Sequence, residues 1–469
     1  MTLYREALLG KTTEEILSFI SSIDEDKLIV VEVVEVLIAH VKHLISKGLI
    51  PNDVGDKVLK VLSDLLKDNE VLFKVRAEDV HEAIEKYLRD VVGEDAGWIA
   101  LGRSRNDHVA TALRLKTRKL LLQYIDRLLR IRGLLLDKSC KYVETPLPLT
   151  THLQLAQLST VAHYLTYIEE MLREYTDMIF YVLGNVVNKS PLGAGAVAGT
   201  TVPLDRYELA SILGFNDVVG NTLLATSSRD FIVVTASVIT SLITSLSRVA
   251  EDFIIWSTPQ FNYVEPPPQH LATSSMMPHK KNLVTMEVLR ALSGEVIGHL
   301  TAMFSILKAN PSGYNLDLQE INKHLLTLLT STLEALVIFE DFIKNVEFNT
   351  NTLSNEVIKY SLIITDIAEQ VAIKCSKPYR EVHRELASVL RDLGGDNLGR
   401  VCRELCRRFN VSDEGLCSIN LNEVLRLRKV YGSPNPELML KYISKEKEVL
   451  DLDYNRYLNL VKVLGVNHE

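Results

Sequence analysis

Four short stretches of this chain concentrate the side chains that proton chemistry on a carboxylate substrate requires. Residues 102–111 read GRSRNDHVAT, with Ser104, Arg105, Asn106 and Asp107 opening an apolar-periodic run. One of them can cap the helix that follows, but a cap accounts for one polar group of the four. A helix start that carries hydroxyl and amide donors is a place for a carboxylate. Residues 150–157, TTHLQLAQ, set His152 between Thr151 and Gln154; an imidazole ordinarily titrates near neutrality and is suited to moving a proton. Residues 190–201, SPLGAGAVAGTT, hold three glycines that let backbone approach a ligand or another helix. A dinucleotide loop would need a strand before them, and the preceding stretch reads as helix. Residues 273–282, TSSMMPHKKN, put Ser274 and Ser275 near Lys280 and Lys281 in a polar loop before a helix. A reactive serine needs a neighbouring base or strong stabilisation of its alkoxide, and a lysine supplies positive charge for that or for a substrate carboxylate.

These stretches interrupt long runs without glycine or proline. Leu149–Leu183 is one such run and predicts a helix from about residue 149 to 183, with His152 at its start. Asn221–Thr258 is another, 38 residues that would reach about 57 Å if wholly helical. Such a length predicts a bundle or a multi-chain core. It also places His152 and Ser274 at opposite ends of long helices, so that one chain does not bring both to one substrate. LIVVEVVEVLIAHVKHLI is rich in β-branched residues, yet Glu32, Glu35 and Lys42 fall at near-helical spacing and predict a helix. AEDVHEAIEKYL has the acidic first turn of a helix start. Breaks at GWIALGRSRNDH and at NVEFNTNTLSNE divide the chain into an N-terminal helical domain (1–102), a central long-helix domain (103–352) and a C-terminal domain (353–469) of short helices with the loop YGSPNPE. The fold class is all-α.

Composition narrows the class of function. The chain has 469 residues, a formal charge of −8 and 47% hydrophobic residues; an acidic balance argues against a nucleic-acid partner. MTLYREALLG lacks the basic segment and apolar run of a secretory leader. Phe231–Ser247 has no charge over 17 residues, but seven are Ser or Thr, which fits a helix packed among helices with hydroxyls bonding to the preceding turn, rather than a membrane span. Five cysteines (Cys140, Cys375, Cys402, Cys406 and Cys417) without a leader predict reduced thiols in a cytoplasm or an incidental disulfide. Zinc would want a fourth ligand and closer pairing than Cys402 and Cys406 offer. Only seven glutamines beside plentiful Ile, Val, Glu and Lys is a thermophile's bias.

Taken in order, SRND, TTHLQ, PLGAGAVAGT and SSMMPHKKN resemble the signatures of the fumarase/aspartase superfamily of lyases. SRND, with EDVHEAIE, SSRDF and YNLDLQE, narrows the resemblance to the argininosuccinate lyases, over about residues 30–440. The resemblance implies β-elimination of argininosuccinate to arginine and fumarate in the cytosol, with no metal or cofactor. It implies a three-domain subunit whose five long helices form a 20-helix core in a homotetramer, with active sites shared among subunits. By the same resemblance Ser274 is the general base, His152 serves the acid step, and Glu287 orients that histidine. Lys280 and Asn282 steady the carbanion's carboxylate. Ser104, Asn106 and Thr151 contact the fumarate portion; Arg105, Tyr314 and Gln319 contact the arginine portion; Arg229 lies close by. The chain departs from the pattern at Leu37, His108, Leu158, Leu283, Val284 and Asn322, the last standing where a substrate-binding lysine is usual, with Lys323 one position later. Two rival readings are a catalytically silent, crystallin-like member and a sister lyase acting on adenylosuccinate or malate.

Overall fold

Helix α5 (Arg105–Lys141) begins with a reciprocal cap. The Ser104 hydroxyl accepts from the Asn106 amide at 3.3 Å, and Asp107 accepts from the Ser104 amide at 3.0 Å. The helix then runs for 37 residues, about 56 Å, and buries side chains around most of its circumference. Four N-terminal helices precede it: α1 (Glu14–Ile20), α2 (Val30–Ser46), α3 (Asn52–Lys67) and α4 (Val80–Val92). The expected helices over the LIVVEVVEVLIAHVKHLI and AEDVHEAIEKYL segments are therefore present as α2 and α4. The computed structural model describes residue 10 and residues 12–394, 397–412 and 415–464. The leader-like test on residues 1–9 lies outside the described residues.

The expected helix from 149 to 183 is replaced in its first part by a hairpin. Strand β1 (Pro146–Thr151) pairs antiparallel with β2 (Gln154–Thr160), and only then does α6 (Val161–Tyr181) begin, capped by the Thr160 hydroxyl. The two turn residues, His152 and Leu153, both sit in the left-handed region at φ 54° and 60°, where the chain reverses in the sense that suits a twisted hairpin. Pro146 and Pro148 lack amide hydrogens and exclude a helix interior on the approach.

The expected 38-residue helix is also divided. α8 (Thr222–Ser227) stops at Ser228 and α9 (Asp230–Trp256) starts after Arg229. The Ser228 hydroxyl donates to Asp230 at 2.8 Å and accepts from the Asp230 amide at 3.1 Å, a local pairing that competes with the helix ladder. The 27 residues of α9 span about 40 Å. Along it the hydroxyls of Thr235, Ser237, Ser241 and Thr244 bond to carbonyls one turn back, at 2.7–2.9 Å. α9 is long and apolar enough to cross a membrane, but its Phe231, Ile239, Leu242, Leu246 and Phe253 are buried within the protein.

α10 (Val284–Leu307) and α11 (Asp317–Asn345) complete the five helices of more than 20 residues within residues 103–352, with the short α7 (Arg206–Ile212) on the connection before α8. The C-terminal ends of α5, α9 and α11 lie together. Lys138 donates to the Ile343 carbonyl at 3.0 Å, Tyr142 stacks edge-on against Phe348 at 5.2 Å, and Phe253 does so against Phe342 at 4.9 Å. The start of α6 joins them through Tyr164 against Trp256 at 4.6 Å. Four two-stranded ladders are the strand structure among the described residues.

The expected break through NVEFNTNTLSNE is short: α12 (Thr350–Lys359) resumes after Asn349. It leads to α13 (Ile364–Cys375), α14 (Tyr379–Leu393), α15 (Leu398–Arg408) and α16 (Leu421–Leu427), which share a hydrophobic core of their own with Leu158 of β2. A Cys402–Cys417 disulfide fastens α15 to the turn after it; of the two expected states, reduced thiols or an incidental disulfide, this pair has the second. The last helix, α17 (Pro436–Leu464), is 29 residues long rather than short and returns to the long helices. The fully buried Arg132 of α5 holds Glu169 of α6 and Asp453 of α17, each at 2.8 Å.

Candidate active site

The SRND segment, the glycine turn and the start of α11 meet at the end of the long helices where α5 begins. Arg105 donates to Asp79 at 2.7 Å, and Asp79 also caps α4 by accepting from the Glu82 amide at 2.7 Å. Asn106 donates to the Ala196 carbonyl at 3.1 Å. Asp107 does more than cap: its second oxygen accepts from the amides of Gly193 and Gly195 at 3.1 and 3.0 Å. Burial pushes its carboxyl up to about 7, against the amides and Arg103, which favour the ionised form. Gly195 is required where it stands, at φ +63° with the Gly199 carbonyl oxygen 2.6 Å from any added Cβ. The glycine run is thus a clamp that aims Asn106. A π-helical turn follows α6 ahead of it, then a two-residue strand, Lys189–Ser190, paired in parallel with Asp217–Val218 alone rather than within the sheet of a dinucleotide fold. Asp107→Ala leaves three amides buried without an acceptor and is expected to destabilise the protein by at least about 3 kcal/mol, read as a lower urea midpoint at unchanged slope.

Tyr314 lies in the same cluster. Burial raises its hydroxyl, and Arg229, Asp79, Asp26 and Arg105 all act on it electrostatically. Arg229 is fully buried, which lowers its guanidinium to about 10; its Nη1 donates to the Ser228 carbonyl at 3.1 Å, while Nε and Nη2 have no hydrogen-bond partner among the described residues. Gln319 donates to the Ile20 carbonyl at 3.3 Å. It lines a small cavity with Ser22, Asp26, Asn322 and Lys323. Lys323 pairs with Glu320 one turn back on the exposed side, whereas Asn322 is buried.

Asp26 and Asp79 are site candidates that the sequence reading passed over. Asp26 accepts from Ser22 at 3.0 Å and from the Val80 amide at 3.1 Å, and burial pushes its carboxyl up to about 7. Nothing in SSIDEDKL distinguishes it from its acidic neighbours. His108, one of the departures from the family pattern, faces α2 instead of this cluster. It packs edge-on against His40 at 5.3 Å, and burial holds both imidazoles far below their usual range.

The remaining candidates lie at the other end of the bundle. Thr151 and His152 are exposed at the hairpin tip. Ser274 sits in a loop closed at its base by pairing of β3 (Ala272–Thr273) with β4 (Lys281–Asn282), reinforced by Asn282 donating to the Ala272 carbonyl at 3.3 Å. Within the loop the Ser274 oxygen accepts from the amides of Met276 and Met277 at 3.3 and 3.1 Å. Lys280 and Glu287 are exposed, Glu287 on the first turn of α10. His270, also passed over in the sequence, braces the loop: it bonds Thr285 at 2.8 Å and Asp341 at 2.9 Å.

His152 and Ser274 are therefore at the same end, contrary to the expectation that long helices separate them. The hairpin shortens the first helix and Trp256 brings the end of α9 to Tyr164. The long helices instead separate both from Ser104, Arg105 and Asn106.

A family described as lyase matches residues 7–298. The argininosuccinate lyase of Pyrococcus furiosus is 49% identical, over 96% of this chain and 96% of its own length. That of Pyrobaculum aerophilum is 39% identical, over 95% of this chain and 98% of its own. Among solved structures, an EDDS lyase in complex with formate superposes with a TM-score of 0.82 at 23% identity, covering 94% of this chain and 89% of that one.

Proposed function

The chain belongs to the argininosuccinate lyase family, and from that premise we propose how the two ends of its bundle carry out one β-elimination. The protein is a lyase that splits argininosuccinate into arginine and fumarate. In the proposed mechanism the Ser274 alkoxide takes the proton from the carbon beside the succinyl carboxylate. The electron pair left behind spreads onto that carboxylate, making a dianion that Lys280 and Asn282 hold. The carbon–nitrogen bond then breaks, and the departing guanidino nitrogen receives a proton in the step served by His152, which Glu287 orients. Ser104, Asn106 and Thr151 hold the fumarate portion. Arg105, Tyr314, Gln319, Lys323 and Arg229 surround the arginine portion, where Asp79 faces its cationic groups and Asp26, its carboxyl raised by burial, loses its proton as they bind.

The observation that carries the mechanism is the pair of amides aimed at the Ser274 oxygen. Fixed amide donors stabilise an oxyanion without reorganising when it forms, and they do so here before any movement of the exposed Lys280. The assembly belongs to the same reading: a cytosolic homotetramer with a 20-helix core, subunits divided near residues 102 and 352, and each site built from more than one chain. The two halves of the site lie about a helix length apart, some 56 Å on α5, so a single chain presents two incomplete halves. Incubation with argininosuccinate, followed by the ultraviolet absorbance of fumarate, is expected to show turnover without added metal or nucleotide. Equal or faster turnover of adenylosuccinate would overturn the substrate assignment.

A further inference from the structure

In the C-terminal helical core, Cys402, Cys406 and Cys417 bring three sulfur atoms together, all within 4.8 Å of one another. Cys402 and Cys406 are one turn apart on α15 and buried, and Cys417 comes from the turn beyond and is half-buried. The Cys406 sulfur stands 3.9 Å from that of Cys417 and outside the Cys402–Cys417 bridge. We infer that, once the bridge is reduced, these three cysteines form a thiolate site for one soft monovalent cation of the Cu(I) type.

The spacing is the first argument. A metal bonded to three sulfurs in a plane at about 2.3 Å spreads them about 4.0 Å apart. The Cys406–Cys417 separation already has that value, and the third sulfur is within reach of it. Little rearrangement beyond opening the bridge is needed.

The ligand set is the second. The group among the described residues is three thiolates, a set that suits a cation content with trigonal sulfur. Zinc prefers four ligands, whereas Cu(I) is soft and takes thiolates readily. The shell is the third. Val382, Val389, Val401 and Leu405 pack in the same core, which keeps water from the metal, while the half-buried Cys417 gives it a way in.

Bridge exchange is the competing use of the third thiol, and the geometry disfavours it. Exchange requires the attacking sulfur on the extension of the breaking bond. A sulfur there, 3.9 Å beyond Cys417, would lie about 6 Å from Cys402 given a bond of about 2 Å. Cys406 is within 4.8 Å of both and so sits beside the bond.

The chemistry balances in two steps. A dithiol reductant gives two electrons and two protons to the Cys402–Cys417 bond and leaves as a cyclic disulfide. The cation then replaces the three thiol protons, with no change in its own oxidation state. Bridge and metal are thus alternative occupants of the same sulfurs.

The test uses the full chain carrying Cys140→Ser and Cys375→Ser, so that every remaining thiol is in the cluster. Phosphine-reduced protein is titrated anaerobically with Cu(I) against a colorimetric Cu(I) chelator. One cation per chain is expected in the reduced protein and none in the oxidised one. Adding Cys406→Ser, with an unchanged melting curve, is expected to weaken binding at least about tenfold. If that variant fails to fold, Cys417→Ser at the half-buried position replaces it. Equal affinity in the cysteine-to-serine variant, or failure of the reduced parent to compete with the chelator, overturns the site. Neither outcome depends on lyase activity.

Discussion

Ser274→Ala is expected to lower kcat at least about a thousandfold, with the melting curve unchanged and Ser275→Ala having a milder effect. The loop explains the separation of function from stability. Its base is held by the β3–β4 ladder, by Asn282 to Ala272 and by His270 between Thr285 and Asp341, none of which involves the Ser274 hydroxyl. What the hydroxyl receives is a pair of amides from Met276 and Met277. A neutral serine is a poor base, and donors already aimed at its oxygen favour the alkoxide. Steady-state rates from fumarate absorbance, beside thermal melts, check both halves of the expectation. A Ser274→Ala enzyme retaining most of its rate would show that another group takes the proton.

Activity is expected to return when two inactive variants exchange subunits, provided that the variants lie at opposite ends of α5. Asn106 is at its first turn, and Ser274 is in the loop at its far end, where His270 touches Asp341 and Lys138 reaches Ile343. Asn106→Ala and Ser274→Ala proteins, mixed equally, loosened in mild denaturant and allowed to reassociate, should form sites with an intact Asn106 from one chain and an intact Ser274 from another. Random reassembly restores about a quarter of the wild-type activity if each site draws these residues from different chains of a symmetric oligomer. Hybrids that demonstrably form, by mass, yet stay inactive would mean that the two residues act within one chain. His152 with Ser274 is the weaker pair for this purpose, because both are at one end.

The sequence is legible where one face of a helix is buried and its start is marked. Asp79 and Ser104 stand where caps belong, and α2, α4 and α5 follow from them and from apolar periodicity. The hairpin at 146–160 was not legible, because its reversal uses His152 and Leu153 in a conformation that sequence rules assign to glycine and asparagine. Residues held there carry strain, which persists where the surroundings impose it and which collects at functional positions. The two prolines at 146 and 148 were the available signal. The division between α8 and α9 was hidden for another reason: Ser and Asp are tolerated in helices, and only their mutual hydrogen bonds across Arg229 show that they end one. Among site residues, the four motif stretches were found by their chemistry. Asp26 and Asp79 were not, since a buried carboxylate and a solvated one look alike in sequence until the fold places them.

The return of α17 to the long helices sets a constraint on when the molecule can come into being. Arg132 lies in the C-terminal half of α5, and Asp453, one of its two carboxylate partners, is made 321 residues after it. A nascent chain that still lacks α17 must carry the arginine with Glu169 alone and leave apolar faces of α5 and α6 uncovered. Contacts of such long sequence separation form late and slowly, so the long helices reach their final packing only once α17 has been made and has left the ribosome. Until then the unfinished surface is open to other chains, and a cell making this protein depends on whatever shields it through translation.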